Sequence, residues 1–177
     1  MLLILDGVQD IMAMNKGFYL AVTNNSIYPQ IKYEGIQIQT GLITNVGIQR
    51  SFFYKLPTPY SDCRENDGTI LASDSDLYKK TMNINQYTRN LCYEVCFQYR
   101  FVIPNCKCAS ASIKSNVDNV DTCLVSNNGL ECVYNQSILF SDKRASCDQD
   151  CPEICERVKY NTQVSMSSYP TRFCFII

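Results

Sequence analysis

The sequence predicts an α+β protein, with β-strands first and a disulfide-stapled helical hairpin after them. Three observations carry the prediction. Residues 1 to 57 hold short runs of β-formers bounded by glycine, proline and asparagine. Ten of the eleven cysteines sit between Cys63 and Cys155. Four-residue steps also recur on both sides of the stretch. Cys63 is followed by Cys92 and Cys96 four apart and by Cys106 and Cys108 two apart. Cys123 and Cys132 then lead to Cys147, Cys151 and Cys155 at two steps of four. A four-residue step stacks side chains on one helix face, so two antiparallel elements can be stapled in nested order. Ten cysteines allow about nine hundred connectivities, and spacing leaves them open.

In chain order, Leu2 to Val8 is a first strand candidate and Phe18 to Val22 a second. Tyr28-Pro29 marks a turn. Gly35-Ile36-Gln37-Ile38-Gln39-Thr40-Gly41 alternates apolar and polar residues between glycines, as a half-buried strand does. Val46 to Leu56 is rich in β-formers and ends at Pro57-Thr58-Pro59, which cannot continue a ladder. Residues 62 to 76 are polar and turn-prone. Asp76 is placed to cap a helix from about Leu77 through Phe101, with Asn83 and Asn85 as weak points and Pro104 as its stop. Residues 109 to 131 form a loop of Ser, Asn and Asp tied down by cysteines. Ser137 to Ala145 predicts a weaker helix. Glu156 to Ser165 predicts a closing strand, with Arg157, Lys159 and Gln163 on one face.

At 177 residues, 46% of them hydrophobic, the chain can build a core. Clustered cysteines place it in an oxidising compartment. Two sequons agree, at Asn24 and Asn135. A net charge of −1 makes no electrostatic case for nucleic acid. The apolar start at Met1-Leu2-Leu3-Ile4-Leu5 meets Asp6 at once, too early for a signal peptide or a membrane span. No stretch approaches 18 apolar residues, so the expectation is a fragment of a longer protein that carries its targeting elsewhere.

Further motifs carry a family resemblance. They are Pro57-Thr58-Pro59-Tyr60-Ser61-Asp62-Cys63, then Tyr87 before Cys92, Cys96, Cys106 and Cys108, then Cys147, Cys151-Pro152, Cys155 and Tyr160. Ahead of them stand Tyr33-Glu34-Gly35-Ile36, Ile38, Gly41, Thr44, Val46 and Ile48, and behind them Ser165 and Tyr169-Pro170. Together these resemble the extracellular region of the degenerin/epithelial sodium channels, the superfamily with the acid-sensing and FMRFamide-gated channels.

The resemblance implies a ligand-gated sodium channel subunit at the plasma membrane. Such a channel is a trimer whose subunits each carry two membrane helices and a hand-shaped ectodomain. Residues 1 to 57 would be antiparallel strands of the palm and β-ball. Residues 58 to 157 would be a two-helix, disulfide-stapled thumb, and residues 158 to 177 a returning palm strand and a truncated end. The implied bridges are Cys63 to Cys155, Cys92 to Cys151, Cys96 to Cys147, Cys106 to Cys132 and Cys108 to Cys123. Tyr60 would couple the thumb to the gate by packing on the first membrane helix; the plainer alternative is an aromatic at a turn. Implied partners are other channel subunits, as homo- or heterotrimer, an extracellular peptide or proton ligand, sodium through the complete pore, and the membrane through segments outside residues 1 to 177. Neither membrane helix, nor the Gly-x-Ser selectivity motif, nor the knuckle and finger is among these residues. Arg172-Phe173-Cys174-Phe175-Ile176-Ile177 does not look like family sequence, which leaves Cys174 as the odd cysteine.

Asp148, Asp150 and Glu153 form an acidic cluster, and Asp74 with Asp76 another. Close carboxylates can sense protons because two like charges forced together raise one pKa. With no histidine, sensitivity near neutral pH would have to come from such pairs. A zinc site lacks histidine and Cys-x2-Cys pairs. Ser/His and Cys/His catalysis lack histidine too, and the seven glycines form no phosphate loop. No cofactor and no enzyme activity are expected. The alternative function is a secreted, disulfide-rich binding or adhesion module without channel activity.

Overall fold

The computed structural model describes residues 2–5, 17–24, 27–65, 67–113 and 120–168. It is a mixed α and β structure that divides into two compact units. One comprises Met1–Asn25, Pro29–Phe53 and Arg157–Ile177; the other comprises Ser26–Tyr28 and Tyr54–Glu156. Cys174, Tyr169-Pro170, Asp6 to Val8 and the Asn25-Ser26 half of the first sequon lie outside the described residues.

The first unit is built of strands. β1 (Leu2–Leu5), β2 (Gly17–Val22) and β3 (Ile36–Gln39) form an antiparallel sheet in that order, with Ile4 opposite Leu20 and Phe18 opposite Ile38. Leu20 and Ala21 of β2 are buried. Gly17 is required by close approach, because a Cβ there would lie 2.4 Å from the Ile38 carbonyl oxygen. A one-turn helix, α1 (Ile31–Glu34), precedes β3 where the sequence reading has no helix. Four residues are too few to show a 3.6-residue period. Gly41, at φ +80°, makes the turn from β3 into β4 (Leu42–Tyr54), which starts four residues ahead of Val46. β4 pairs with β5 (Glu156–Ser168) in a second sheet.

The second unit is helical and cross-linked. α2 (Asp76–Ile84) is capped by Ser75, not Asp76: the Ser75 backbone is extended and its hydroxyl accepts from the Tyr78 N–H at 3.1 Å. Asp76 lies inside the first turn, where its charge complements the helix dipole. The helix breaks at Asn85, which turns extended. Thr88 then caps α3 (Arg89–Cys96) through the Leu91 N–H at 3.1 Å. Pro104 does not stop the helix. The chain widens into a π-helical stretch, Phe97–Val102, and Pro104 falls second in the next α-helical turn, α4 (Ile103–Cys106), where no N–H is required. The end comes at Lys107, whose backbone is left-handed at φ 56°.

α5 (Gly129–Lys143) begins eight residues before the predicted Ser137. A left-handed Asn128 and a buried Gly129 open it, residue types that read as loop in the sequence. The core of this unit gathers Leu77, Tyr78, Tyr87, Tyr93, Val95, Phe97, Val102, Ile113 and Phe140 around the half-cystines. Phe140 of α5 receives the rings of Phe97 and Phe101 at 5.1 and 5.2 Å.

Candidate functional site

The candidate site is the seam of the second unit, where the α3 arm meets residues 144 to 155. Cys92 and Cys96, one turn apart on α3, face Cys151 and Cys147, also four apart. Disulfides join them with Cα–Cα distances of 5.7 and 6.3 Å. Cys63–Cys155 closes the base at 4.9 Å, and Cys106–Cys132 and Cys108–Cys123 tie the far end at 5.8 and 5.0 Å. All lie in the range a disulfide spans. At the base the Arg64 N–H donates to the Glu153 carbonyl at 2.7 Å, and the Cys155 N–H donates to the Arg64 carbonyl at 2.9 Å.

A layer of charged groups follows the bridges. Arg89 donates from Nε to the Cys151 carbonyl at 3.1 Å and from Nη2 to Asp148 Oδ1 at 3.4 Å. The Tyr93 hydroxyl donates to that same oxygen at 2.5 Å, and the Arg144 guanidinium sits 4.1 Å over the Tyr93 ring. Burial, helped by this bond, holds the Tyr93 phenol above its ordinary pKa. Arg100 donates to Asp150 Oδ2 at 2.6 Å and to the Ser146 carbonyl at 3.0 Å. Lys55 pairs with Glu153. Asp148, Asp150 and Glu153 are thus each set against a basic group. Asp74 accepts from the Leu71 N–H at 2.6 Å and from Arg64 at 3.3 Å, and Asp76 is exposed.

Tyr60 is displayed to solvent at 78% exposure. A tight loop holds it: its N–H donates to the Pro57 carbonyl at 3.0 Å, and Ser61 Oγ donates to the Leu56 carbonyl at 2.6 Å. Asn135 is exposed on α5, and Asn24 is half-buried. A polar pocket of about 210 Å³ opens beside the base and is lined by Asp62, Arg64, Asp74, Ser75, Tyr78 and Asp150. Among the described residues no group of three or more His, Cys, Asp or Glu could hold a metal ion. No described helix is long and apolar enough to cross a membrane.

The sequence reading missed Arg89, Tyr93 and Arg100 as partners of the acidic cluster. Their steps of four and seven are helix-face spacings, so a signal was present. It also missed Gln98, which is 1% exposed. Gln98 accepts from the Ser110 N–H at 3.1 Å, and its Nε2 has no partner among the described residues.

Comparison with known proteins adds the family dimension. The amiloride-sensitive sodium channel family matches residues 2–175. The epithelial sodium channel subunit gamma of Pelodiscus sinensis is 26% identical over 162 residues, covering 90% of this chain and 23% of the relative. The same subunit from Homo sapiens is 25% identical over 164 residues, covering 90% and 24%. Degenerin mec-10 of Caenorhabditis elegans is 28% identical over 157 residues, covering 88% and 20%. The chain spans about a fifth to a quarter of the length of these relatives.

Proposed function

The chain belongs to the amiloride-sensitive sodium channel family, and on that premise we propose that it forms part of the extracellular region of a plasma-membrane sodium channel subunit. The observation that carries the reading is the ladder of five nested disulfides in a chain matched by the family over residues 2–175. Two bridges one helical turn apart make the α3 arm and residues 147–151 move as one body. Such a body transmits a displacement instead of absorbing it.

In this reading residues 58–157 are the thumb, residues 1–57 supply palm and β-ball strands, and residues 158–177 return to the palm. Tyr60 is the contact that hands thumb motion to the gate, and its display on a closed loop supports that role. The complete subunit assembles with others as a homo- or heterotrimer and opens to sodium on binding an extracellular peptide or protons. Asp148, Asp150 and Glu153 are the candidate acidic sensing residues in this reading, each set against Arg89, Arg100 or Lys55. Neutralising all three (Asp148→Asn, Asp150→Asn, Glu153→Gln) should remove acid-evoked current; an unchanged acid response retires the sensing role.

The test of the whole reading is expression of the complete polypeptide, alone and with other subunits of the family, under voltage clamp. A sodium current that appears with the protein at the cell surface is expected. Normal surface delivery with no current under acid or peptide stimulation would overturn the channel assignment.

A further inference from the structure

The five bridges differ in how far a reagent can reach them. Cys92, Cys96, Cys147 and Cys151 are 0% exposed, and Cys108 and Cys123 are each 3% exposed. Cys155, bonded to Cys63, is 4% exposed. Cys106–Cys132 is the bridge with both of its residues part-open to solvent. Thiol–disulfide exchange needs a thiolate to reach a sulfur, so burial protects both sulfurs of three of the other bridges and the Cys155 sulfur of the fourth, whose Cys63 is part-open.

Charge favours the same bridge. Exposed Lys107 follows Cys106, whereas exposed Glu131 precedes Cys132. A neighbouring ammonium stabilises a thiolate and a neighbouring carboxylate opposes one, so Cys106 is the better leaving group. The bridge also restrains little beyond the hairpin's far end. Apart from it, α4 is tied to α5 by the Asn105 Nδ2 donation to Gln136 Oε1 at 3.3 Å. The Phe97, Phe101 and Phe140 cluster and the buried bridges hold the remainder.

We propose that Cys106–Cys132 is a reduction-labile disulfide, opened by an extracellular dithiol while the other four bridges stay closed. The attacking thiolate bonds to the Cys132 sulfur. The Cys106–Cys132 bond breaks, and its electron pair leaves on Cys106 as thiolate. The dithiol's second thiolate then attacks the mixed disulfide at the reagent's own sulfur and releases Cys132. The dithiol ends as an intramolecular disulfide, two electrons poorer. Its two protons finish on Cys106 and Cys132. The far end of the hairpin, α4 against α5, is thereby freed while the base remains pinned. This inference is independent of the channel reading.

The test is differential alkylation of the full chain in native buffer with dithiothreitol as the probe. Free thiols are blocked at timed intervals and each cysteine is quantified by mass spectrometry. Cys106 and Cys132 should be labelled at least about tenfold faster than Cys92, Cys96, Cys147 and Cys151, as access to the sulfur requires. Labelling of all ten together, or of another pair first, would overturn the proposal. Lys107→Glu should slow the first phase without altering the fold; an unchanged rate in that variant would refute the assigned leaving group. Hydrogen exchange on the singly reduced chain should show lost protection at 103–106 and 129–136, with 91–97 unchanged. Lost protection at 91–97 would count against a local opening.

Discussion

At Arg64 one guanidinium donates to the Thr69 carbonyl and the Asp74 carboxylate, both at 3.3 Å, and lies 5.8 Å from the Tyr78 ring centroid. It organises the polar loop that the sequence shows only as turn-prone. Arg64→Met keeps the stem and removes these donors, so it should cost about 1 to 3 kcal/mol in urea denaturation with the disulfides intact. No measurable loss would show that the loop is held without it. Tyr87 makes a second case: its hydroxyl donates to the Pro152 carbonyl at 2.7 Å from a position 1% exposed. Burial holds the phenols of Tyr87 and Tyr93 above their ordinary pKa. The stability they hold is full below the unfolded value, about pH 10, and is lost as pH rises beyond it because the unfolded chain ionises first. The urea midpoint should therefore fall above about pH 10, and less steeply in Tyr87→Phe. An identical slope in that variant would contradict the assignment.

At the scale of elements, the helical arm is specified by its caps and its interruption. Ser75 and Thr88 start α2 and α3, and the Ser75 hydroxyl also donates to the Asp150 carbonyl at 2.7 Å. Thr88→Ala should cost about 0.5 to 2 kcal/mol, with Ser75→Ala at the upper end because it loses two bonds. Equal midpoints for wild type and both variants would show that the staples alone set the helix starts. The π-helical stretch is legible only in the structure. Local propensity cannot register an extra residue in a turn whose position is set by two flanking disulfides, at Cys96 and Cys106.

At the scale of the molecule, a cross-linked body needs an exposed contact to act on anything outside itself, and Tyr60 is a candidate for it. Tyr60→Ala should leave the unfolding free energy in urea within about 0.5 kcal/mol of wild type, as exposed substitutions do, while suppressing current in the complete channel at unchanged surface density. Wild-type current in that variant would dismiss the coupling role; a collapsed midpoint would assign Tyr60 to packing instead. The bridges set the stability scale of this unit. A loop of 92 residues and one of 15 correspond to about 4.5 and about 3 kcal/mol by the loop-entropy argument. Nested loops share that entropy, so the contributions do not add.

Much of this was readable from residues alone. Alternation from Ile36 to Gln39 placed β3, Pro57 to Pro59 closed β4, and the density of cysteines marked the cross-linked unit, because period, proline chemistry and composition are local properties of the chain. Motifs at Cys63, Cys92, Cys96 and the Cys147 triplet placed the family. Tertiary structure decided what those signals leave open. Asp148, Asp150 and Glu153 read as a repelling acidic cluster, yet each is drawn to a cation from a distant stretch: Arg89, Arg100 and Lys55. The helix ran past Pro104, and α5 opened at Gly129. For the three acidic residues the deciding partner lies tens of residues away in sequence, and the closed disulfide ladder brings it within bonding distance.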